Sequence, residues 1–171
     1  MPTRPEYLLL PASRAFIAGS IAVAFMLNVL PWGRLPAVPD FLALVLVFWN
    51  VHQPRKVGIG IAFVTGLLMD VHAAAVLGEH ALAYSLLSYG ALSLQRRVPF
   101  FRPAGQMAHV LPLFLGAQLV VMLARVALGA PLPGTGWFAQ SVTTTLLWPL
   151  GRLVLLAPQR RAIDRDDNRP I

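Results

Sequence analysis

The chain has 171 residues, of which 57% are hydrophobic and only 12% are charged, and its mean hydropathy is +0.65. Since a soluble domain carries about 25% charged residues, this composition excludes an ordinary soluble fold and predicts an integral membrane protein. Cysteine is absent, which excludes disulfides and thiolate metal sites, and the net charge of +7 lies in short basic clusters that favour membrane loops over nucleic-acid binding.

Six apolar segments follow one another along the chain, against the roughly 20 residues that a membrane-spanning helix needs. The second and third are short, so either their ends include polar residues or the helices are tilted little. The segments are residues 15–30, 35 or 38 to 51, 57 to beyond 69, 77–94, 107–128 and 137–157. We therefore predict an all-α polytopic membrane protein. Its six transmembrane helices form a domain over residues 15–157, between a cytoplasmic N-terminus (1–14) and a cytoplasmic tail (158–171).

The distribution of Lys and Arg predicts the orientation of these segments. One side of the membrane receives nearly all of the basic residues, whereas the other receives only Arg34, with Arg125 buried near it. Excess positive charge marks the cytoplasmic side, so both termini are expected in the cytoplasm. The basic loops either determine topology alone or contact anionic lipid or cytoskeletal partners. Their residues are Arg55, Lys56, Arg96, Arg97 and Arg102.

The third segment carries small residues at a spacing of four. Gly58, Ala62 and Gly66 therefore share one helical face with Asp70. Small residues on such a face let a second helix approach closely, which is how membrane helices pack without a hydrophobic drive. The face serves either packing within the chain or an interface with a partner protein.

Asp70 lies at the outer end of this face, where an ionisable side chain needs a partner. Arg125 is expected at a similar depth on the fifth segment, with Gln118 on the same face. We therefore expect an Asp70–Arg125 pair that fixes the third helix against the fifth. Arg34 and His80 are competing partners, and the other alternative is that Asp70 caps the helix end and orders the outer turn.

Candidate reactive groups cluster around that turn but lack the spacing of an active site. Asp70, His72, Glu79 and His80 resemble a set of metal ligands, yet they flank a short turn without an HExxH pattern or a nucleophile elbow. The glycines of the third segment open no phosphate-binding loop. We predict no catalytic residue, no metal and no cofactor.

Two further polar sets are interpreted as hydrogen-bonding groups within or between helices rather than as a ligand site. One set lies on the fourth segment and the other on the sixth. They are Tyr84, Ser85 and Ser88, and Ser141, Thr144, Thr145, Trp148 and Arg152.

The stretch PRKVGIGIAFVTGLLMDVHAAAVLGEHALAYSLLSY resembles the signature region of the rod shape-determining protein MreD family. The resemblance includes a Pro and a basic residue before a Gly-rich helix, then G-L-x-x-D and L-G-x-x-A-L. The matching positions are Pro54, Arg55, Gly60, Gly66, Leu67, Asp70, Leu77, Gly78, Ala81, Leu82 and Tyr84. One departure is Ala74, where many members carry glycine, and it concerns the geometry of the turn.

The resemblance implies a non-enzymatic component of the bacterial inner membrane that acts in the rod complex, or elongasome. Its implied partners are the single-span protein MreC, the actin-like MreB, and RodA with its penicillin-binding partner. The lipid bilayer and a second copy of the chain are further partners considered. The implied fold is that of the S-components of energy-coupling-factor transporters, so the alternative function is a vitamin-binding S-component.

Overall fold

The computed structural model describes residues 8–9, 12–32 and 37–161 of the chain, and these are almost entirely helical. Seven α-helices occur in them: α1 (Arg14–Val29), α2 (Phe41–His52), α3 (Ile59–His72), α4 (Glu79–Leu94), α5 (Pro103–Ala127), α6 (Ala139–Leu146) and α7 (Trp148–Leu156). Short 3-10 turns lie at Val98–Phe100, Thr135–Phe138 and Ala157–Gln159. Two-residue strands, β1 (Leu8–Leu9) and β2 (Arg160–Arg161), pair antiparallel. The all-α class is confirmed.

The first five predicted segments each correspond to one helix, whereas the sixth is divided into α6 and α7 at Leu147. Pro149 causes this division because it has no N–H to donate to the carbonyl one turn earlier, at Thr145. The chain nevertheless continues in nearly the same conformation, since Gly151 N–H donates to the Leu147 carbonyl at 2.9 Å. The two short helices therefore form one kinked segment.

Most of the described α-helices are shorter than the hydrocarbon core of a bilayer is thick. Among the described residues, α5 is the one helix that is both long and apolar enough to cross a bilayer, with 25 residues and a hydropathy of 2.0. The apolar helices α1, α2 and α3 have 16, 12 and 14 residues. At 1.5 Å per residue, the 12-residue helix is about 18 Å long, against the hydrocarbon thickness of about 30 Å. The six-span topology stays a prediction.

Helix α2 occupies the centre of the bundle. Its ten residues from Leu42 to Val51 are all buried, because the apolar run FLALVLVFW has no polar face to present. α1, α4 and α7 pack around it. The polar member of this run, Asn50, donates through Nδ2 to Ser88 of α4 at 3.0 Å. A continuous apolar sequence therefore specifies the core helix.

The bundle has two ends, which we name by one residue each. The Asp40 end holds the end of α1, the start of α2, the α3–α4 turn and the α5–α6 connection. The Lys56 end holds the start of α1, the α2–α3 turn and the α4–α5 connection, and Lys56 Nζ donates to the Ala12 carbonyl there at 2.5 Å. Four of the five predicted basic-loop residues are exposed at this end: Arg55, Arg96, Arg97 and Arg102.

Candidate functional site

Asp70, in the last turn of α3, is fully buried and organises the start of α4. Its Oδ2 accepts the backbone N–H of Gly78 at 2.8 Å, and its Oδ1 accepts that of His80 at 2.7 Å. The His80 ring also contacts Oδ1 through Nδ1 at 2.8 Å, so Nδ1 carries the proton that is donated to the carboxylate. The first N–H groups of a helix have no partner within it, and here the preceding helix supplies one.

The turn between α3 and α4 contains two residues in the left-handed region. Gly78 has a φ of 105°, and Ala74 has a φ of 48°. A side chain with a Cβ is disfavoured in this region, whereas glycine adopts it without strain. The structure therefore explains why glycine suits position 74, at which this sequence departs from the pattern that it resembles.

The expected pair between Asp70 and Arg125 is not formed, and this expectation is corrected. Arg125 Nε donates to Glu79 Oε1 at 2.5 Å, and its guanidinium lies 5.1 Å from the ring centroid of Trp137. The physical reason is that the N-terminus of α4 already satisfies Asp70, while Glu79 begins α4 and faces α5. The competing partner His80 is the one that Asp70 takes, and the other competitor, Arg34, lies outside the described residues.

The small-residue face of α3 packs within the chain. Ala62 and Gly66 are buried, and a Cβ added at Gly66 would lie 2.6 Å from the Ala81 backbone nitrogen of α4. Glycine is required at this close approach. Gly58 differs from them because it is the N-cap residue of α3 and has nothing within 4 Å of an added Cβ. The packing alternative therefore describes Ala62 and Gly66.

Asp40 is a central residue that the sequence interpretation missed. Its Oδ1 caps α2 by accepting Ala43 N–H at 2.9 Å, and it also accepts Asn28 Nδ2 of α1 at 2.8 Å. Its Oδ2 accepts the Tyr84 hydroxyl of α4 at 2.9 Å, and its own N–H donates to Thr144 of α6 at 2.8 Å. The signal that could have found it is an Asp immediately before a long apolar run, which is a helix N-cap pattern.

A polar cavity of about 300 Å³ lies beside Asp40, between α2, α4, α5 and α6. Gln118 donates through Nε2 to the Trp137 carbonyl at 2.5 Å and accepts the Ser141 hydroxyl. Polar side chains of the cavity thus bond to one another across the helices. The sequence interpretation did not place these residues around one cavity, because they are far apart in the chain.

Hydroxyl-bearing residues of α4 and α6 form hydrogen bonds within their own helices, as predicted. Thr144 and Thr145 donate to carbonyls one turn earlier on α6, at 2.7 Å in both cases. Ser85 donates to the Ala81 carbonyl at 2.7 Å. Within the described ranges, no group of three or more His, Asp or Glu residues could hold a metal ion. Of the residues around the turn, His72 is exposed, whereas Glu79 is buried and paired.

Helix α1 borders two apolar grooves on the side of the bundle. One groove, of about 620 Å³, lies between α1 and α7, and we call it the α1–α7 groove. The other, of about 520 Å³, lies between α1 and α3, and we call it the α1–α3 groove. An apolar surface of this kind on the outside of a helical bundle suits contact with lipid or with a partner helix.

Comparison with known proteins identifies relatives of the chain. The family described as rod shape-determining protein MreD matches residues 12–156. The chain is also similar to the rod shape-determining protein MreD of Haemophilus influenzae, at 39% identity over 75 residues, which are 43% of this chain and 46% of that protein. The alignment therefore spans less than half of this relative's length. No solved structure matches, so the expected S-component fold and the vitamin-binding alternative have no support.

Proposed function

The chain belongs to the rod shape-determining protein MreD family, and we propose that it is a non-enzymatic, multi-pass component of the bacterial inner membrane with both termini in the cytoplasm. In this role it binds MreC and supports cell-shape maintenance and lateral peptidoglycan synthesis. MreB, RodA and the penicillin-binding partner of RodA complete the proposed set of partners. Family membership supports the role in cell shape, and the surface of α1 supports the way in which a partner helix is held.

The observation that carries this proposal is the α1–α7 groove. Within the described part of the chain, none of the residues that line it is charged. On α1, Ala15, Gly19 and Val23 follow one another at a spacing of four, and nothing lies within 4 Å of a Cβ added at Gly19. A single helix could therefore approach the α1 backbone closely, as small-residue contacts between membrane helices require. MreC, as a single-span protein, supplies a helix of this kind.

The small-residue face of α3 offers less room for a partner. Both Ala62 and Gly66 are buried, and Gly66 lies directly against α4, so a second helix would have to displace α4 to reach Gly66. We propose that these two residues hold the α3–α4 hairpin together and that the partner helix lies against α1. Contact with the exposed apolar side of α3, which includes Val64, is the competing arrangement.

The polar residues that form hydrogen bonds between helices support positioning rather than chemistry as the function. Asp40 joins α1, α2, α4 and α6, and Asp70 joins α3 to α4. Links of this kind hold helices in a fixed relation, and an organised surface binds a partner with less loss of conformational freedom. The exposed arginines of the Lys56 end would face cytoplasmic partners and anionic lipid in the same arrangement.

Photocrosslinking in native membranes tests where the partner lies. A crosslinking residue is placed at Val23 on α1 or at Val154 on α7, which both line the α1–α7 groove. Val64 on α3 is the matched control, because it is 56% exposed against 61% for Val23. We expect MreC in the products from the two groove positions and not from the control. MreC at Val64 alone would place the partner on α3 instead.

A substitution that fills the groove tests the same arrangement by a second route. Gly19→Leu should abolish co-purification of MreC, while Gly60→Leu on α3, where an added Cβ also meets open space, should leave it unchanged.

The photocrosslinking experiment also distinguishes other partners. Crosslinks between two copies of the chain would make the groove a homodimer interface. Crosslinks to an ATPase-coupled membrane subunit, in place of MreC, would overturn the rod-complex role itself.

A further inference from the structure

We propose that the α1–α3 groove binds one acyl chain and the headgroup of an anionic phospholipid. The groove has a volume of about 520 Å³ and is lined mainly by apolar side chains. α1 packs chiefly on α2 and only lightly on α3, so the cleft between α1 and α3 remains unfilled by the protein. Its large apolar lining residues are Ile17, Ile21, Phe25, Met26, Ile61 and Leu68.

Two cations lie where the groove reaches the Lys56 end of the bundle. Arg14 and Lys56 both line the groove there. The bond from Lys56 Nζ to the Ala12 carbonyl, 2.5 Å long, holds the ammonium group in place, and an ammonium group has two further N–H donors for a ligand. No carboxylate in the described part of the chain forms an ion pair with either cation.

The backbone of α1 adds to this positive potential. α1 begins at Arg14, and its first turn contains no acidic residue. A helix N-terminus carries a partial positive charge that favours anions and disfavours cations. Arg14 and Lys56 therefore lie at the end of α1 where a positive charge is electrostatically unfavourable. A phosphate group bound between them would be attracted by all three charges. These three positive charges favour a lipid with an anionic headgroup.

The length of the groove fits one leaflet of a bilayer. Along α1 it extends from Arg14 to Met26, which lie twelve positions apart and are therefore separated by about 18 Å of helix. Half of a hydrocarbon core of about 30 Å is about 15 Å, which is the depth that one acyl chain occupies. With the headgroup at Arg14 and Lys56, the acyl chain would lie along the apolar part of the groove.

The α1–α7 groove provides an internal comparison. It lies on the other side of α1 and has similar apolar walls, but the described residues that line it include no charged side chain. It therefore has no group with which to select a headgroup. The lipid proposal needs only that α1 and α3 lie in a bilayer, so it is independent of the identity of the protein partner.

Native mass spectrometry of the purified, delipidated full chain tests the proposal with phosphatidylglycerol and phosphatidylcholine as probes. We expect phosphatidylglycerol to bind more tightly, and Lys56→Gln or Arg14→Gln each to weaken it about fivefold, since one basic residue near a lipid surface contributes about that factor. Arg55→Gln is the matched control for a general loss of surface charge, because Arg55 neighbours Lys56 and is exposed but does not line the groove, and it should therefore weaken binding by less than either groove substitution. Equal affinity for both lipids would overturn the proposal.

Further measurements decide which molecule occupies the groove. Ala22→Trp, which fills the groove, should reduce phosphatidylglycerol binding, whereas Ala108→Trp on an exposed position of α5 should not. Displacement of the lipid by excess inorganic phosphate, together with unchanged phosphatidylglycerol binding in Ala22→Trp, would show an anion site without an acyl-chain site. An equal loss in Arg55→Gln would show general surface charge. Crosslinking of a partner helix from Ile61 in native membranes would show that a protein occupies the groove, and each of these three results would overturn the proposal.

Discussion

Asp70 and His80 are joined twice across the α3–α4 turn. One carboxylate oxygen, Oδ1, accepts the backbone N–H of His80 at 2.7 Å and contacts its ring Nδ1 at 2.8 Å. The other oxygen accepts Gly78 N–H at 2.8 Å. A buried acid inside an apolar helix is thereby stabilised by the N–H groups of the next helix, and the charge that looked like a functional group in the sequence acts as a connection between two helices.

Asp70→Asn should destabilise the protein by about 1.5–3 kcal/mol, the range for a hydrogen bond to a charged group. The amide keeps one acceptor oxygen but replaces the other with a donor that faces N–H groups. The measurement is the free energy of unfolding in mixed detergent micelles. His72→Asn, on an exposed position of the same helix turn, is the control and should change stability by less than about 0.5 kcal/mol. Equal stability of the two variants would contradict the capping role.

The pairing of Arg125 with Glu79 predicts a specific energetic coupling. Arg125→Met leaves the buried Glu79 carboxylate without its cation and should cost about 1–3 kcal/mol, whereas the double variant Arg125→Met/Glu79→Gln should recover much of that loss. A double-mutant cycle in the same micelles measures the coupling. A second cycle between Asp70 and Arg125 should give a value near zero, and a large value there would restore the pair expected from the sequence.

The order of the helices in this fold could be predicted from hydropathy, because each apolar segment is long compared with the polar stretches that separate it from its neighbours. The division of the sixth segment at Leu147 could have been predicted too, since Pro149 removes one backbone donor. The helix lengths could not be predicted, because apolar residues continue beyond the helix ends into turns such as 73–78, where the backbone is no longer helical.

The side-chain partners were harder to predict because depth alone does not specify rotation. Asp70 and Arg125 were expected to form a pair because they lie at similar depth. Whether their side chains point toward each other, however, depends on how α4 is inserted between α3 and α5. At the start of α4, Glu79 points to α5 and pairs with Arg125. The adjacent His80 points to α3 and pairs with Asp70. Asp40 was missed because its partners come from four different helices.

The close approach of α3 and α4 makes Gly66 sensitive to the smallest substitution. A Cβ there would lie 2.6 Å from the Ala81 nitrogen and 2.7 Å from the His80 carbonyl oxygen, so Gly66→Ala must push the helices apart. We expect a loss of about 1–3 kcal/mol, as for other overpacked sites. Gly60→Ala is the control on the same helix, and since it meets open space it should gain up to about 1 kcal/mol from helix propensity. Equal effects of the two changes would contradict the close approach.

Ala74 offers the opposite expectation, a substitution that improves the turn. At a φ of 48°, a residue with a Cβ is strained by about 1–2 kcal/mol, and Ala74→Gly removes that strain while adding chain entropy to the unfolded state. The free energy of unfolding, measured in micelles, should be unchanged or should rise by up to about 1 kcal/mol. Ala73, one residue earlier, has a φ of −77°, so Ala73→Gly carries the entropy term without relief of strain and should destabilise the protein. If both changes destabilise it equally, the left-handed conformation at position 74 is wrong.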